Sequence, residues 1–301
     1  MKVEVRKAQL TKIKFEHMKL SVIIINYNTP RMTIKAIETF KKNVEDFNFE
    51  IILIDNNSQE KISTEDVDRL QVKLIQNSKN LGFAKAVNQG MEVSAGDFVL
   101  LLNSDVLVKN NSVKQMMDYL ENNSMAGIVG PLFYYPNGQH QPSAGKFPSL
   151  SREVIRFSMI GKIFFGGTVI YNNFFAIKFF KQPSEVDWLS GGCMLVRRQV
   201  IKQIGLLDEN YFFGIEDFDY CLRAKKVGWK IMFLPSAEII HYHGFSSGGR
   251  RSTFSLELEA DGMDYFLKKH FFQKKFTRFA IKTMYWSKII ILNWLFAIYK
   301  K

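Results

Sequence analysis

"LSVIIIN", residues 20–26, places apolar and mostly β-branched side chains next to one another without alternation and closes on a polar amide. A strand wet on one face would alternate. A continuous run of this length fits a strand covered on both faces, as in a parallel sheet between helices. Thr29 then offers an N-cap and Pro30 a first helical residue for a helix over Pro30–Lys42. The same reading gives strands at 50–54, 72–76 and 98–102 and helices at 65–71 and 82–93. Strand and helix alternate three times, which predicts an α/β, doubly wound, mostly parallel sheet.

In such sheets ligands collect at the carboxyl ends of the strands. Three strands here end in polar clusters: Asn26-Tyr27-Asn28-Thr29, Asp55-Asn56-Asn57-Ser58 and Asn103-Ser104-Asp105. The first strand-to-helix turn has no glycine, so the phosphate cradle of a dinucleotide site is absent. Beyond residue 130 the pattern changes. Residues 131–150 read as loop, and 157–181 read as an aromatic insertion or a flap. Residues 186–198 form a loop leading into a strand, with a helix following at 198–204. After a helix at about 216–227, a strand is expected to stop at Pro235, and a further strand to begin at Ala237.

The chain has 301 residues, 47% of them hydrophobic, enough for one large core. Cys193 and Cys221 make neither a disulfide framework nor a paired zinc motif, which fits a reducing compartment. Residues 1–17 are studded with charges and read as an N-terminal extension rather than a leader. From residue 265 onward there are nine basic residues and no acidic one, leaving +3 of the net +12 for the rest. Lys274, Arg278 and Lys282 recur every four residues, with Phe272, Phe276 and Phe279 on another side. The apolar run 289–299 is too short to span a bilayer, which takes about 20 residues. Residues 251–301 are therefore expected to be a basic helical extension on an anionic membrane surface, not a nucleic-acid face. Packing onto the body or onto a second subunit is the alternative.

Single residues leave alternatives open. Asp105, where a buried strand exits, either caps a turn or supplies a hard oxygen ligand to a divalent cation. Glu216, Asp217 and Asp219 either cap a helix or provide a general base. Phe212, Phe213 and Phe218 would desolvate that base and raise its pKa, against the opposing pull of the helix terminus. His241 and His243 share a strand face; one of them either sits satisfied in the core or completes a metal or phosphate site with the following Gly/Ser loop and Arg250 or Arg251.

The ordered set "SVIIINYN", "IDNNS", "NSKNLGFAKAVNQG", "LLNSDV", "WLSGGCMLVRR", "FFGIEDFDYCLRAKKVGW" and "HYHGFSS" resembles family 2 glycosyltransferases with a GT-A fold, in their rhamnosyltransferase-like branch. The resemblance spans about residues 19–247. It implies a GT-A domain over 18–250, with Asp55 on the nucleotide base and Asn26, Tyr27 and Asn28 beside it. Asn80, Gly82, Phe83, Lys85 and Asn88, with Asn103 and Ser104, would line the nucleotide-sugar cleft. Asp105 and His243 would hold Mn2+ or Mg2+, and Asp217 would be the base. Asp187, Trp188, Ser190, Gly191, Gly192 and Glu216 would face acceptor or donor sugar. The implied reaction moves one sugar, with inversion, from a dTDP- or UDP-linked donor to a lipid-linked saccharide, by an enzyme peripheral at the cytoplasmic side of the membrane. Asn103 replaces the first acid of the family's metal motif, which predicts weaker metal binding. No QxxRW-type motif is present, which favours single addition over polymerisation. A sugar nucleotidyltransferase would need a glycine-rich triphosphate loop, which NYNTPR is not. A silent carbohydrate-binding or membrane-scaffold protein is the remaining alternative.

Overall fold

Four parallel strands form one half of the sheet. In the computed structural model, which describes residues 19–44, 47–147, 181–242, 253–271 and a few positions between 275 and 287, these are β1 (Leu20–Asn26), β2 (Phe49–Asp55), β3 (Lys73–Gln76) and β4 (Phe98–Asn103). Their spatial order is β3-β2-β1-β4. The register pairs Asn26 with Asp55 and Ile25 with Asn103, so the polar strand ends emerge side by side. Helices α1 (Pro30–Lys42), α2 (Thr64–Arg69) and α3 (Phe83–Val93) connect them.

The unalternating LSVIIIN run has a direct cause. Val22 and Ile24 enter one core with Phe40, Met116 and Leu120, while Ile23 enters the other with Ile54, Val87 and Met91. Both faces are dry, and each such side chain contributes about 1.5–3 kcal/mol by burial.

Past β4 the order of elements is β5 (Val106–Val108), α4 (Ser112–Asn122), β6 (Ala126–Tyr134), β7 (His140–Gln141), β8 (Ala144–Gly145), β9 (Ser184–Val186), β10 (Trp188–Leu189), β11 (Cys193–Arg197), α5 (Arg198–Ile204), α6 (Glu216–Lys226), β12 (Lys230–His241) and α7 (Thr253–His270). The sheet continues from β4 through β11, β6, β12 and β5. β11 runs antiparallel to both β4 and β6, whereas β12 is parallel to β6. The result is a mixed sheet whose parallel half carries the polar strand ends.

Two expectations change. Residues 131–134 continue β6 rather than starting a loop, because Pro131 lies within a buried, paired stretch. Pro235 does not end β12: the strand shifts register between Leu234 and Glu238 and resumes, so the two expected strands are one. A missing N–H is tolerated at such an irregularity. Thr29 stands at the N-terminus of α1, but its hydroxyl makes no cap and instead meets Asn26 and Ser104. Residues 1–17, the segment 157–180 and the 243–250 loop lie outside the described residues.

Within 251–301, α7 packs on the body. Ala260, Met263, Phe266 and Leu267 bury against Tyr211 and Ile215. Further on, Phe276 and Phe279 are 75% and 70% exposed. Lys268 and Lys282 both pair with Asp264, so part of the basic charge is neutralised locally.

Candidate active site

Asn26 organises the first strand end. It is fully buried; its Nδ2 donates to Asp55 Oδ2 at 2.9 Å and Ser58 Oγ at 3.0 Å, and its Oδ1 accepts from the Thr29 backbone N–H and the Thr29 and Thr33 hydroxyls. Asp55 Oδ1 also accepts from the Ser58 N–H. Asn28, at φ 57°, donates its N–H to Ser58 Oγ and accepts from the Gln59 N–H. Tyr27 and Asn28 are the exposed members, Tyr27 with 37% of its surface open. Asn26 thus holds Asp55 in place rather than offering itself to a ligand. Asn26→Ala leaves several buried polar groups unpaired at about 1–3 kcal/mol each. A stability loss of about 2–4 kcal/mol is expected, read as a lower urea midpoint with unchanged slope.

The second wall comes from the 77–83 segment. Asn56 donates to Asn80 Oδ1 and accepts the Leu81 N–H. Gly82 sits at φ +83°, and an added Cβ would lie 2.7 Å from the Phe212 carbonyl oxygen, so the position requires glycine. That carbonyl accepts the Phe83 N–H at 2.8 Å, closing the 212 loop onto the start of α3. Lys85 pairs with Glu209. Asn88 is buried and spends its amide on Leu207 and Glu209, so it supports the cleft from behind.

At the end of β4, the Asn103 N–H donates to the Gly192 carbonyl and Ser104 Oγ lies 3.0 Å from Thr29 Oγ1. Asp105 is buried, with Oδ1 3.2 Å from Nε2 of His241. His241 Nδ1 lies 3.0 Å from Gln141 Oε1, an acceptor, so Nδ1 carries the proton and Nε2 faces the carboxylate. His243, expected at this position, lies outside the described residues; among the described residues His241 faces Asp105. Gln141, which orients it, carries no signal in the sequence.

The donor set suits a hard divalent cation: a carboxylate oxygen and an imidazole nitrogen converge on one point. Among the described residues no cluster of three or more His, Cys, Asp or Glu side chains forms a closed cage.

The loop 190–192 connects this point to α6. Gly192 packs beside the rings of Phe133 and His241, and Gly191 beside Phe83 and Asp217. Asp217 Oδ2 accepts the Gly191 N–H at 2.9 Å, and Oδ1 accepts the Phe218 N–H at 2.8 Å. Burial pushes the Asp217 carboxyl up to about 6, and the two N–H bonds only partly oppose this. Of the three phenylalanines expected to desolvate the base, Phe212 and Phe213 are 44% and 48% exposed. Phe218 is the packed one, stacked on Trp188 at 4.5 Å.

The other acids of the group serve different ends. Glu216 is buried, with one carboxylate oxygen lacking a hydrogen-bond partner, and burial together with the Asp217 charge raises its pKa. Burial also pushes Asp219 upward, but bonds from His270, Lys269 and Arg223 overcome this and hold it far below the usual carboxylate range. Immediately before them, Ile215 has φ +71°. For a β-branched residue that conformation costs about 1–3 kcal/mol.

The remaining expected contact residues bond within the body. Trp188 is 9% exposed and donates its indole N–H to the Lys146 carbonyl. Asp187 accepts from the Phe147 N–H and pairs with Lys225. Ser190 accepts the Gly192 N–H. These contacts brace the 186–192 segment.

Comparison with known proteins shows the family and the fold. The family model described as glycosyl transferase family 2 matches residues 21–205. The chain is 35% identical over 214 residues to the N-acetylglucosaminyl-diphospho-decaprenol L-rhamnosyltransferase of Mycobacterium tuberculosis, covering 66% of this chain and 68% of that one. It is 24% identical over 229 residues to the dTDP-rhamnosyl transferase RfbF of Shigella flexneri, covering 75% and 69%. Among solved structures, the mannosyltransferase PcManGT of Pyrobaculum calidifontis, in complex with GDP-Man and Mn2+, superposes with a TM-score of 0.57 at 14% identity, over 90% of this chain and 70% of that one. GalNAc-T7 with UDP, GalNAc and Mn2+ gives 0.57 at 19% identity, over 74% and 43%. These likenesses show the GT-A fold. With its polar strand ends, its half-buried carboxylate on α6 and this match over most of the sheet, the chain is a glycosyltransferase and belongs to glycosyl transferase family 2.

Proposed function

We propose that the enzyme transfers one L-rhamnose-type sugar, with inversion, from a dTDP- or UDP-linked donor to a hydroxyl of a polyprenyl-diphosphate-linked saccharide during cell-surface polysaccharide assembly. The observation that carries the reading is Asp217. It is a half-buried carboxylate with a raised pKa, oriented by the Gly191 and Phe218 N–H groups, beside the loop that also touches Asn103 and His241. At neutral pH it is ionised and basic enough to accept a hydroxyl proton. As the acceptor oxygen bonds to the anomeric carbon, its proton passes to Asp217 and the diphosphate leaves from the opposite face. A single displacement of this kind inverts the centre.

Asp55 and Tyr27 receive the nucleotide base at the mouth formed by β1 and β2, and Asn80 to Phe83 form the adjoining wall. Asp105 and His241 would hold Mn2+ or Mg2+, which supplies positive charge against the departing diphosphate. The exposed Phe276 and Phe279, near Lys275 and Lys282, suit attachment to the cytoplasmic face of an anionic membrane that carries the acceptor. Among the described residues no helix is long and apolar enough to cross a bilayer.

The test is transfer from dTDP-rhamnose and UDP-sugars to polyprenyl-diphosphate N-acetylglucosamine, presented in anionic or neutral vesicles, with the product anomer assigned by NMR. Inverted product, formed faster on anionic vesicles, is expected. A retained anomer, or no transfer from any donor, overturns the reading.

A further inference from the structure

α7 lies outside the cleft, yet it grips the turn that carries the base. Asp219 follows Asp217 by two residues but points the other way and has no exposed surface. Its Oδ1 receives His270 Nε2 and Lys269 Nζ, both at 2.7 Å, and its Oδ2 receives Arg223 Nε at 2.7 Å. His270 Nδ1 lies 3.0 Å from Lys226 Nζ, a donor, so the ring proton sits on Nε2 and is donated to Asp219. Lys269 also reaches Asp208 at 2.7 Å, and Arg223 donates to the carbonyls of Ile204 and Leu206. One buried carboxylate thus ties α7, α6 and the end of α5 together.

A second grip lies at the other edge of the same turn. An added Cβ on Gly262 of α7 would be 3.0 Å from the Gly214 carbonyl oxygen and 3.4 Å from Ile215 Cβ. Ile215, in its left-handed conformation, is buried under Ala260, Met263 and Leu267. Nothing within the 214–217 segment favours that backbone state in a β-branched residue. The α7 surface over it supplies the packing that keeps it there, and Asp217 follows two residues later.

We infer that α7 is a positioning element of the active site: His270 and Lys269, through Asp219, and the close contact of Gly262 with Gly214 and Ile215 fix the first turn of α6, so that Asp217 stays on the Gly191 N–H and over the cleft. His270, Asp219 and Gly262 are positioning residues that touch no substrate. The inference rests on the proposed role of Asp217, and it adds a specific consequence. Loosening α7 lowers turnover and spares nucleotide binding, because the nucleotide wall is built from β1, β2 and the 77–83 segment.

The test uses the full chain with His270→Ala, His270→Gln and Gly262→Ala. Expected for His270→Ala and Gly262→Ala is a fall in kcat of about 10- to 100-fold, the range that misplacement of a reacting group produces. The donor Kd should stay within about twofold. His270→Gln, whose side-chain N–H can still reach Asp219, should recover most of the rate. Amide hydrogen exchange is the readout independent of turnover. In the two loosened variants residues 214–219 should exchange at least about tenfold faster, with 20–26 unchanged. Unaltered exchange at 214–219 in both variants overturns the inference, even if the chain proves to transfer a different sugar. Equal losses in kcat, donor binding and 20–26 protection also overturn it, since that pattern marks a merely structural helix. If Asp217→Asn abolishes transfer while His270→Ala and Gly262→Ala turn over at the parental rate, the base assignment stands and the α7 inference falls.

Discussion

Asp217→Asn is expected to lower sugar transfer by about 10²- to 10⁴-fold, the contribution of a positioned general base. Asn keeps the side chain's size and one acceptor for the Gly191 N–H, so the fold and the nucleotide wall should survive. The donor Kd is expected within about threefold of the parent by calorimetry. The pH profile gives a second measure. The base works only when ionised, so turnover falls as pH drops below its pKa and levels off above it. Burial moves that pKa up to about 6, and the acid limb of kcat should lie there rather than near the usual Asp value of about 4. After burial, the negative charge of Glu259 also pushes the Asp217 value upward. Glu259→Gln should therefore shift the limb downward, by less than burial raises it. An acid limb at about 4 in the parent, or undiminished turnover in Asp217→Asn, would remove Asp217 from the role of base.

The parallel half of the sheet is legible in the sequence because its signal is local. LSVIIIN has to be covered on both faces, and a polar residue where such a run ends has to sit at a strand exit. The residue pattern alone therefore brings Asn26, Asp55 and Asn103 to one rim, where the register places them. The mixed half is less legible. β6 contains Pro131 and β12 contains Pro235, residues that usually end a strand, and only pairing across the sheet shows them tolerated. In the site, chemistry is more legible than direction. "EDFD" announces three carboxylates at one helix start, but whether each faces the cleft, the core or a neighbour depends on what packs beside it. Asp217 meets the 191 N–H, and Asp219 meets a helix some 50 residues later in the chain. Trp188 and Asp187 illustrate the same limit, since an indole and a carboxylate beside a glycine loop suit a sugar site, yet here they brace Lys146, Phe147 and Lys225. The histidine pair gives the face of β12 and not the depth: His241 meets Asp105, and His243 lies outside the described residues.

That pairing leads to the second large effect. Asp105→Ala is expected to abolish metal-dependent transfer, with a loss of about 10³-fold, equivalent to about 4 kcal/mol of charge stabilisation at the diphosphate. Asp105 supplies the formal negative charge at this point, because Asn103 stands where a second acid would add another. Removing it takes the carboxylate away from His241, whose Nδ1 lies 3.0 Å from Gln141 Oε1. The parent should gain thermal stability from Mn2+ plus dTDP or UDP beyond that given by nucleotide alone, and Asp105→Ala should lose that increment. Because Asp105 is buried, the isosteric Asp105→Asn serves as a control for folding and should lose the same increment at an almost unchanged melting temperature. Asn103→Asp should act in the opposite sense, adding a charge and lowering the Mn2+ concentration for half-maximal activity several-fold. Parental transfer in Asp105→Ala, or no added stabilisation by Mn2+ in the parent, would identify residues 103–105 as a strand-end turn and leave His241 as a core histidine held by Gln141 and Phe133.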